Sequence, residues 1–299
     1  MATATGVSAA APQARDTSRA AADKRPSGRA FNVVAGIVLG VFAVIWLIPS
    51  LFALKTSLSS NGDAALGAGT VISNLSPTLG SYATLLASGD IWDWYLASFL
   101  TAGVTTVLAV LFASMAGYAL SKLRFPGRRI VFALMLLGIM VPPQVLVVPI
   151  FQMLDGMGLL NTYWAVIFPQ VPTVIAVFVF KQFFDGLPKE FDEAARIDGA
   201  GYWRIYRRVV MPLSGPIIAA MAIITFVGTW NNLILPLFVV SNPELMTIPV
   251  GLATVQGSFG QRYADIQASA ILGALPLIIL YMIFQRRIIE GVAGSGLKG

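Results

Sequence analysis

The groups that could do chemistry in this chain are the amides and hydroxyls within its apolar stretches and the charged side chains of one loop. Its 299 residues include no histidine and no cysteine, so the commonest general base and all thiolate chemistry are missing. The polar residues inside its long apolar stretches include the amides Gln144, Gln170, Asn231 and Asn232, with Trp230 beside Asn231. Amides both donate and accept hydrogen bonds, so these residues suit the binding of a neutral, hydroxylated solute better than catalysis.

Six apolar stretches must position these amides, and each is about as long as a helix that crosses a bilayer, which needs about 20 residues. None of the six contains Asp, Glu, Lys or Arg. The whole chain is only 11% charged, against about 25% in a typical soluble domain, which excludes an ordinary soluble enzyme or a nucleic-acid-binding module. We predict an all-α integral membrane protein with six transmembrane helices, at residues 31–54, 95–120, 130–151, 163–180, 216–240 and 266–284.

The orientation of these spans follows from the basic residues, which concentrate on the cytoplasmic side of membrane proteins. All Lys and Arg except Lys55 and Arg262 lie in the two termini or in the loops after spans two and four. We therefore expect both termini in the cytoplasm, and no nucleic-acid partner. Residues 1–29 are expected to form a disordered tail, residues 30–290 the transmembrane domain and residues 291–299 a C-terminal tail. A cleaved signal peptide is the alternative for the N-terminus, but the first apolar run exceeds the usual signal core of about 7–15 residues.

The amides inside the spans have two interpretations. Gln144, Gln170 and Asn231 each lie about seven residues from the external end of a span, or about 10 Å deep. Our hypothesis is that these three residues, with Trp230 and Asn232, line a substrate pathway. The alternative is that they make hydrogen bonds between helices and only hold the bundle together. Asn231 and Asn232 are about 100° apart on a helix, so both cannot point squarely into one pathway.

The loop after span four, residues 186–212, is here called the cytoplasmic knob. Pro188 suits the first position of a helix, and Gly199 is placed to end that helix in the left-handed conformation. A second helix is expected over about residues 202–209, limited by Pro212. The result would be a compact helix–turn–helix.

The spacing within the knob resembles the signature of bacterial ATP-binding-cassette importer permeases, the EAA motif. That signature is Glu-Ala-Ala, three residues, Gly, nine residues, then Ile-x-Leu-Pro; here Val209 and Met211 replace the Ile and Leu. In that family this coupling loop carries a coupling helix, which docks in a cleft of the ATPase subunit. The resemblance implies an ATPase-coupling role for a set of knob residues: Glu193, Ala194, Ala195, Asp198, Gly199 and Pro212.

Further segments resemble the carbohydrate-uptake branch of that family: 116–128, Asn161-Thr162, 230–236 and 247–252. The ending, residues 291–299, resembles the tail of the smaller, six-span subunit of the maltose-transporter type. The resemblance implies a type I importer permease fold in the bacterial inner membrane. The implied partners are a second permease, two ATPase subunits and an external solute-binding protein. No Gly-x-x-x-x-Gly-Lys-Ser/Thr loop is present, so ATP and Mg are expected on the ATPase subunits and no cofactor on this chain.

The expected solute is a sugar or oligosaccharide, with glycerol 3-phosphate as the second candidate. No Lys or Arg within the spans could meet a phosphate, although a partner permease could supply one. A stand-alone secondary carrier and a membrane-embedded enzyme are alternatives, and the absence of ionisable residues within the spans disfavours both. The external segment 240–265 contains Gly257-Ser-Phe-Gly-Gln261. The resemblance suggests a loop that enters the binding protein there, whereas the residues alone suggest an ordinary solvated loop.

Overall fold

The computed structural model describes residues 28–74, 76–259 and 262–296, and within these ranges every regular element is a helix. The predicted all-α class is confirmed. Residues 1–27 of the predicted N-terminal tail and residues 297–299 of the C-terminal tail lie outside the described residues. The α-helices are α1 (Arg29–Ser57), α2 (Asn61–Ala65), α3 (Ala68–Ser73), α4 (Gly80–Ala87), α5 (Asp90–Lys122), α6 (Arg128–Ile139), α7 (Val147–Gly156), α8 (Tyr163–Ile167), α9 (Val174–Asp185), α10 (Lys189–Ile197), α11 (Tyr202–Ile205), α12 (Met211–Leu213), α13 (Gly215–Trp230), α14 (Ile234–Val239), α15 (Ile248–Phe259) and α16 (Tyr263–Gly296).

Three helical segments in the described residues are long and apolar enough to cross a membrane without a break: Phe31–Ser57, Asp90–Lys122 and Tyr263–Gln285. Three further stretches are pairs of helices bent sharply against each other. They are Arg128–Ile139 with Pro143–Gly156 (93°), Tyr163–Gln170 with Val174–Asp185 (43°) and Tyr202–Leu213 with Gly215–Trp230 (80°). Counted with each bent pair as one span, the described residues hold six candidate spans, which agrees with the predicted number.

The stretch 130–151, predicted as one helix, is divided between α6 and α7. The break falls at Met140–Pro142, followed by a 3-10 turn over Pro143–Leu146. Proline disfavours the helical conformation in the residue before it and donates no backbone hydrogen bond, so the consecutive Pro142 and Pro143 end α6. Between α8 and α9 the chain leaves the helical conformation just after Pro172, where Thr173 is extended.

The stretch 216–240 also differs from the prediction, because α13 ends at Trp230. Asn231 is its C-cap, and the Asn232 side chain accepts a hydrogen bond from the Leu235 amide at 3.4 Å, at the start of α14. An asparagine side chain can replace a helical carbonyl as partner for a nearby backbone amide. The two asparagines therefore lie at a break between helices rather than within one.

The chain divides into two units, one ending at Leu51 and the other beginning at Phe52. In the first unit every described side chain from Phe31 to Leu51 is exposed apart from the half-buried Ala35. A helix that is apolar on all sides is typical of a membrane span.

The core of the second unit is built around α5, whose principal neighbours are α9 and α13. Gly117 allows the closest approach to α9, because a Cβ atom there would lie 2.8 Å from the Phe180 Cβ. Phe180, Phe184 and Ile205 are buried beside it and connect the knob to the same core.

Candidate functional site

The first helix of the knob, α10, ends as the sequence predicts. Gly199 has a φ of +73°, in the left-handed region that glycine adopts without steric cost. The Ala200 amide donates to the Ala195 carbonyl at 2.9 Å, and the Gly199 amide donates to the Arg196 carbonyl at 3.0 Å. These two bonds form a Schellman motif, which satisfies carbonyls that the helix end leaves free. Pro188 lies one residue before the helix rather than at its first position.

Most of the predicted coupling residues are exposed. Glu193, Ala194, Asp198, Gly199 and Pro212 are exposed, and Ala195 is half-buried. Sequence reasoning missed two large apolar side chains beside them, Phe191 and Ile197, of which Ile197 is 87% exposed. The signal available in the sequence was a large apolar side chain among the charged and polar residues of this segment.

The second helix of the knob continues further than predicted. After α11 the chain is π-helical over Tyr206–Val210, then α-helical through Pro212 to a sharp bend after Leu213. The Met211 amide donates to the Tyr206 carbonyl, five residues back. The helix runs four residues past the predicted end at residue 209 and stops at Leu213, one residue after Pro212. The wider π-helical turn just before Pro212 gives the backbone a different hydrogen-bond register, in which the proline is accommodated.

Hydrogen bonds join the knob to α5. The hydroxyls of Tyr206 and Ser114 lie 2.8 Å apart and are both buried. The Tyr118 hydroxyl donates to the Tyr202 carbonyl at 3.2 Å. These two hydrogen bonds attach the knob to α5.

Charged contacts join the same surfaces. Lys122 Nζ lies 2.8 Å from an Asp192 carboxylate oxygen, and both side chains are mostly buried. The Arg196 guanidinium lies over the Tyr202 ring, 5.0 Å from its centre. These residues border a cavity of about 590 Å³ between the knob and the end of α5. The Lys122–Asp192 pair fixes α10 relative to α5, and the Arg196–Tyr202 contact fixes α10 relative to α11.

The structure brings three of the five predicted pathway residues together. Gln144, Gln170 and Asn232 line one cavity of about 280 Å³, whose other walls are apolar and rich in proline. The Asn232 amide donates to the Gln170 side-chain oxygen at 2.8 Å, and the Gln170 amide donates to the Val166 carbonyl at 2.8 Å. The amides therefore line a cavity and also join two helix breaks.

The other two predicted pathway residues lie elsewhere. Trp230 is 2% exposed and packs against Phe99 and Phe226, and its indole donates to the Gly273 carbonyl at 3.2 Å. Asn231 is exposed, and its amide donates to the Val227 carbonyl at 2.9 Å. Neither lines the amide cavity, because the end of α13 turns both side chains away from it.

The segment 240–265, predicted to be external, contains the helix α15. Ser98 of α5 accepts a hydrogen bond from the Ile248 amide at 2.7 Å, which satisfies a donor at the helix start. Gly251 lies directly on the Trp94 ring. The backbone of residues 257–259 belongs to α15, while Gly260, Gln261 and the side chains of 255–261 lie outside the described residues.

Sequence reasoning gave no structural role to Asn161, although it quoted the dipeptide that contains it. Asn161 has a φ of 56°, and its side-chain oxygen accepts from the Ser241 amide at 2.6 Å and from the Asn242 amide at 3.1 Å. It therefore joins the start of α8 to the segment after α14. Within the described part of the chain, no group of three or more His, Cys, Asp or Glu side chains is arranged to hold a metal.

The sequence of this chain is similar to those of known proteins. Residues 109–292 match the sequence model of a family described as binding-protein-dependent transport system inner membrane component. The chain is 38% identical over 262 residues to the arabinooligosaccharides transport system permease protein AraQ of Halalkalibacterium halodurans, covering 87% of this chain and 92% of that protein. It is 31% identical to the diacetylchitobiose uptake system permease protein NgcG of Streptomyces coelicolor, covering 89% of each.

A similar match extends to the trehalose/maltose transport system permease protein MalG of Thermococcus litoralis, at 29% identity over 89% of this chain and 96% of that protein. Among solved structures, a chain of a bacterial ABC transporter that imports the acidic polysaccharide alginate superposes with a TM-score of 0.74. That superposition covers 87% of this chain and 97% of the other at 22% identity, and it establishes a shared fold.

Proposed function

The chain belongs to the family of binding-protein-dependent transport system inner membrane components, and on that basis we propose that it is one of two permease subunits of an ATP-driven sugar importer. It forms the translocation pathway with a second, different permease. An external binding protein delivers the solute, and two ATPase subunits engage the cytoplasmic side. The observation that carries this proposal is the ordered knob, with its exposed Glu193–Ala195 surface and its left-handed Gly199.

The knob has the properties required of a docking element. Its small Ala194 lets a partner surface approach closely, and the exposed Phe191 and Ile197 supply apolar area to bury against that partner. Its attachment to α5 means that a force applied to the knob reaches the spans. ATP and Mg are bound by the ATPase subunits in this proposal, and this chain supplies movement but no catalytic group.

The solute is proposed to be a sugar or oligosaccharide. The printed names of the relatives specify arabinooligosaccharides, diacetylchitobiose, and trehalose or maltose. The amide cavity supports the same class, because it combines apolar walls with amides that bond neutral hydroxyls. At about 280 Å³ it is small for a ligand pocket, so it would contact only part of an oligosaccharide at one time.

The proposal is tested by purifying the tagged chain from its own membrane in mild detergent and identifying the proteins that accompany it. We expect an ATPase subunit and a second permease. Gly199→Val places a β-branched residue at φ +73° and should cost about 1–3 kcal/mol in local strain. That variant should lose the ATPase subunit and keep the second permease.

The matched control is Gly201→Val, which adds the same side chain where φ is −73° and nothing lies within 4 Å. This variant should retain both partners. A chain that purifies alone and moves solute without ATP would contradict the proposal and favour a stand-alone carrier. A binding protein encoded with the complex is then tested for binding of maltose, trehalose, diacetylchitobiose and glycerol 3-phosphate. Binding of a sugar would support the proposed solute class, and binding of glycerol 3-phosphate alone would contradict it.

A further inference from the structure

One unbroken helix, α5, extends from the external segment to the knob. Its 33 residues contain no proline, and at 1.5 Å per residue it is about 50 Å long. Three of the other candidate spans are bent pairs of helices. A straight helix passes a displacement of one end to the other, whereas a sharp bend can absorb it. What is attached to the two ends of α5 therefore matters for function.

At its cytoplasmic end α5 meets the knob along one face. Ser114, Tyr118 and Lys122 are spaced four residues apart, so they lie above one another on the helix surface. Tyr118 bonds the Tyr202 carbonyl, and Lys122 pairs with Asp192. Contacts with both α10 and α11 thus converge on three successive turns of α5.

The contact between Ser114 and Tyr206 has a defined direction. Ser114 has a single hydroxyl hydrogen, which it donates to the Leu111 carbonyl at 2.9 Å. The Tyr206 hydroxyl is therefore the donor in the 2.8 Å bond to Ser114 Oγ. Tyr206→Phe would remove this bond without leaving Ser114 unpaired, and the ring could still pack on Trp203 and Tyr118.

At its external end α5 meets α15. Ser98 Oγ accepts from the Ile248 amide, and Trp94, one turn away, donates from its indole to the Pro243 carbonyl at 3.0 Å. The Trp94 ring lies so close to Gly251 that a Cβ atom there would be 2.2 Å away. Two adjacent turns of α5 therefore determine where α15 begins and which of its faces is covered.

We infer that α5 transmits displacement of the knob to the external helix α15, with Ser114 and Ser98 as the positioning residues at its two ends. This inference rests on the proposed function, because the ATPase subunits supply the displacement. The π-helical segment that contains Tyr206 adjoins the contact with Ser114, and such segments are frequent at functional sites. The consequence is that ATP binding in the cytoplasm changes the exposure of α15 on the other side of the membrane.

The chain has no cysteine, so one engineered cysteine reports on α15 alone. We would place Ala253→Cys on α15 in the full complex and measure its reaction with N-ethylmaleimide, reading the band of this chain on a gel. Addition of ATP and vanadate should change the reaction rate by about fivefold or more, the lower end of typical coupling between sites. Adding Tyr206→Phe, or separately Ser98→Ala, should reduce this change to less than about twofold.

The matched control is Tyr82→Phe, which removes a tyrosine hydroxyl that lies 2.7 Å from Ser57 Oγ. Like Ser114, Ser57 donates its own hydrogen to a carbonyl three residues earlier in the chain. The chemistry is the same, but the contact joins α4 to α1, so the full response should remain. A full response in Tyr206→Phe or Ser98→Ala would overturn the inference. If the Tyr206→Phe chain fails to assemble, the labelling response of Ser98→Ala tests the inference instead, because Ser98 does not touch the knob.

Two outcomes separate this inference from the proposed function. If the complex contains active ATPase subunits but Ala253→Cys shows no response to ATP and vanadate, the inference is wrong and the importer proposal stands. If no ATPase subunit accompanies the chain, the proposed function fails and the inference fails with it.

Discussion

At the scale of single residues, the adjacent Asn231 and Asn232 have different surroundings. Asn232 lines the amide cavity, whereas Asn231 is exposed and bonds only the preceding turn of its own helix. Gln144 lines the same cavity as Asn232, and its side chain makes no hydrogen bond to the described residues. Gln144 is therefore the residue that best separates a role in the pathway from a role in holding the helices together.

Gln144→Leu should raise the KM for sugar uptake about 2–12-fold, because one hydrogen bond to a neutral partner is worth about 0.5–1.5 kcal/mol. The free energy of unfolding should change by less than about 0.5 kcal/mol, since no bond within the protein is lost. Uptake by reconstituted complex and thermal unfolding measure the two quantities. Asn231→Leu is the control outside the cavity and should leave KM unchanged. Equal effects of the two substitutions on KM would remove Gln144 from the pathway.

At the scale of helices, α15 is held in place by α5 rather than by its own sequence. The Trp94 ring is buried, and its indole nitrogen is bonded to Pro243, so the ring cannot easily move away from Gly251. Glycine is required here for close approach, since the backbone of α15 is ordinary helix. The resemblance of residues 247–252 to carbohydrate permeases thus corresponds to a contact between two helices.

Gly251→Ala should destabilise the protein by about 1–3 kcal/mol, the usual cost of overpacking a rigid contact. The reference is Gly103→Ala on α5, where a Cβ atom would meet nothing within 4 Å. That change should be neutral or stabilising by about 0.5–1 kcal/mol, because alanine favours helix over glycine. Thermal unfolding in detergent measures both. If the collision is the cause, Gly251→Ala should cost less stability in a Trp94→Leu background than in the wild-type chain, and an equal cost in both backgrounds would refute the explanation.

At the scale of the whole molecule, the distribution of Lys and Arg sets the predicted orientation. The knob then lies in the cytoplasm, and α2, α3 and α15 lie outside. Ile72 on α3 and Ile197 in the knob are both well exposed side chains, on opposite predicted sides of the membrane.

A single cysteine at each of these two positions tests the orientation without interference from native thiols. Ile72→Cys should react with a membrane-impermeant maleimide in sealed right-side-out vesicles. Ile197→Cys should react only after detergent opens them, because the reagent cannot reach the cytoplasmic face. Labelling is read on a gel, and the reverse pattern would show that the predicted orientation is wrong.

The sequence alone determined the features that depend on local composition. Six uncharged apolar stretches predict the number of candidate spans, since crossing a bilayer requires only length and apolarity. The left-handed Gly199 was predictable because glycine adopts that conformation at little cost after a helix of this pattern. The amides Gln144 and Gln170 were recognisable for a similar reason, because polar residues are rare in apolar stretches and their depth follows from the helical rise.

Only the tertiary structure decided the features that depend on which surfaces meet. The burial of Trp230 against Phe99 and its bond to the Gly273 carbonyl follow from packing between distant segments. The same is true of α15, which is ordered by Ser98 and Trp94 about 150 residues earlier in the chain. A residue's neighbours along the chain set its preferred conformation, whereas its burial and partners are set by helices that meet only when the chain folds.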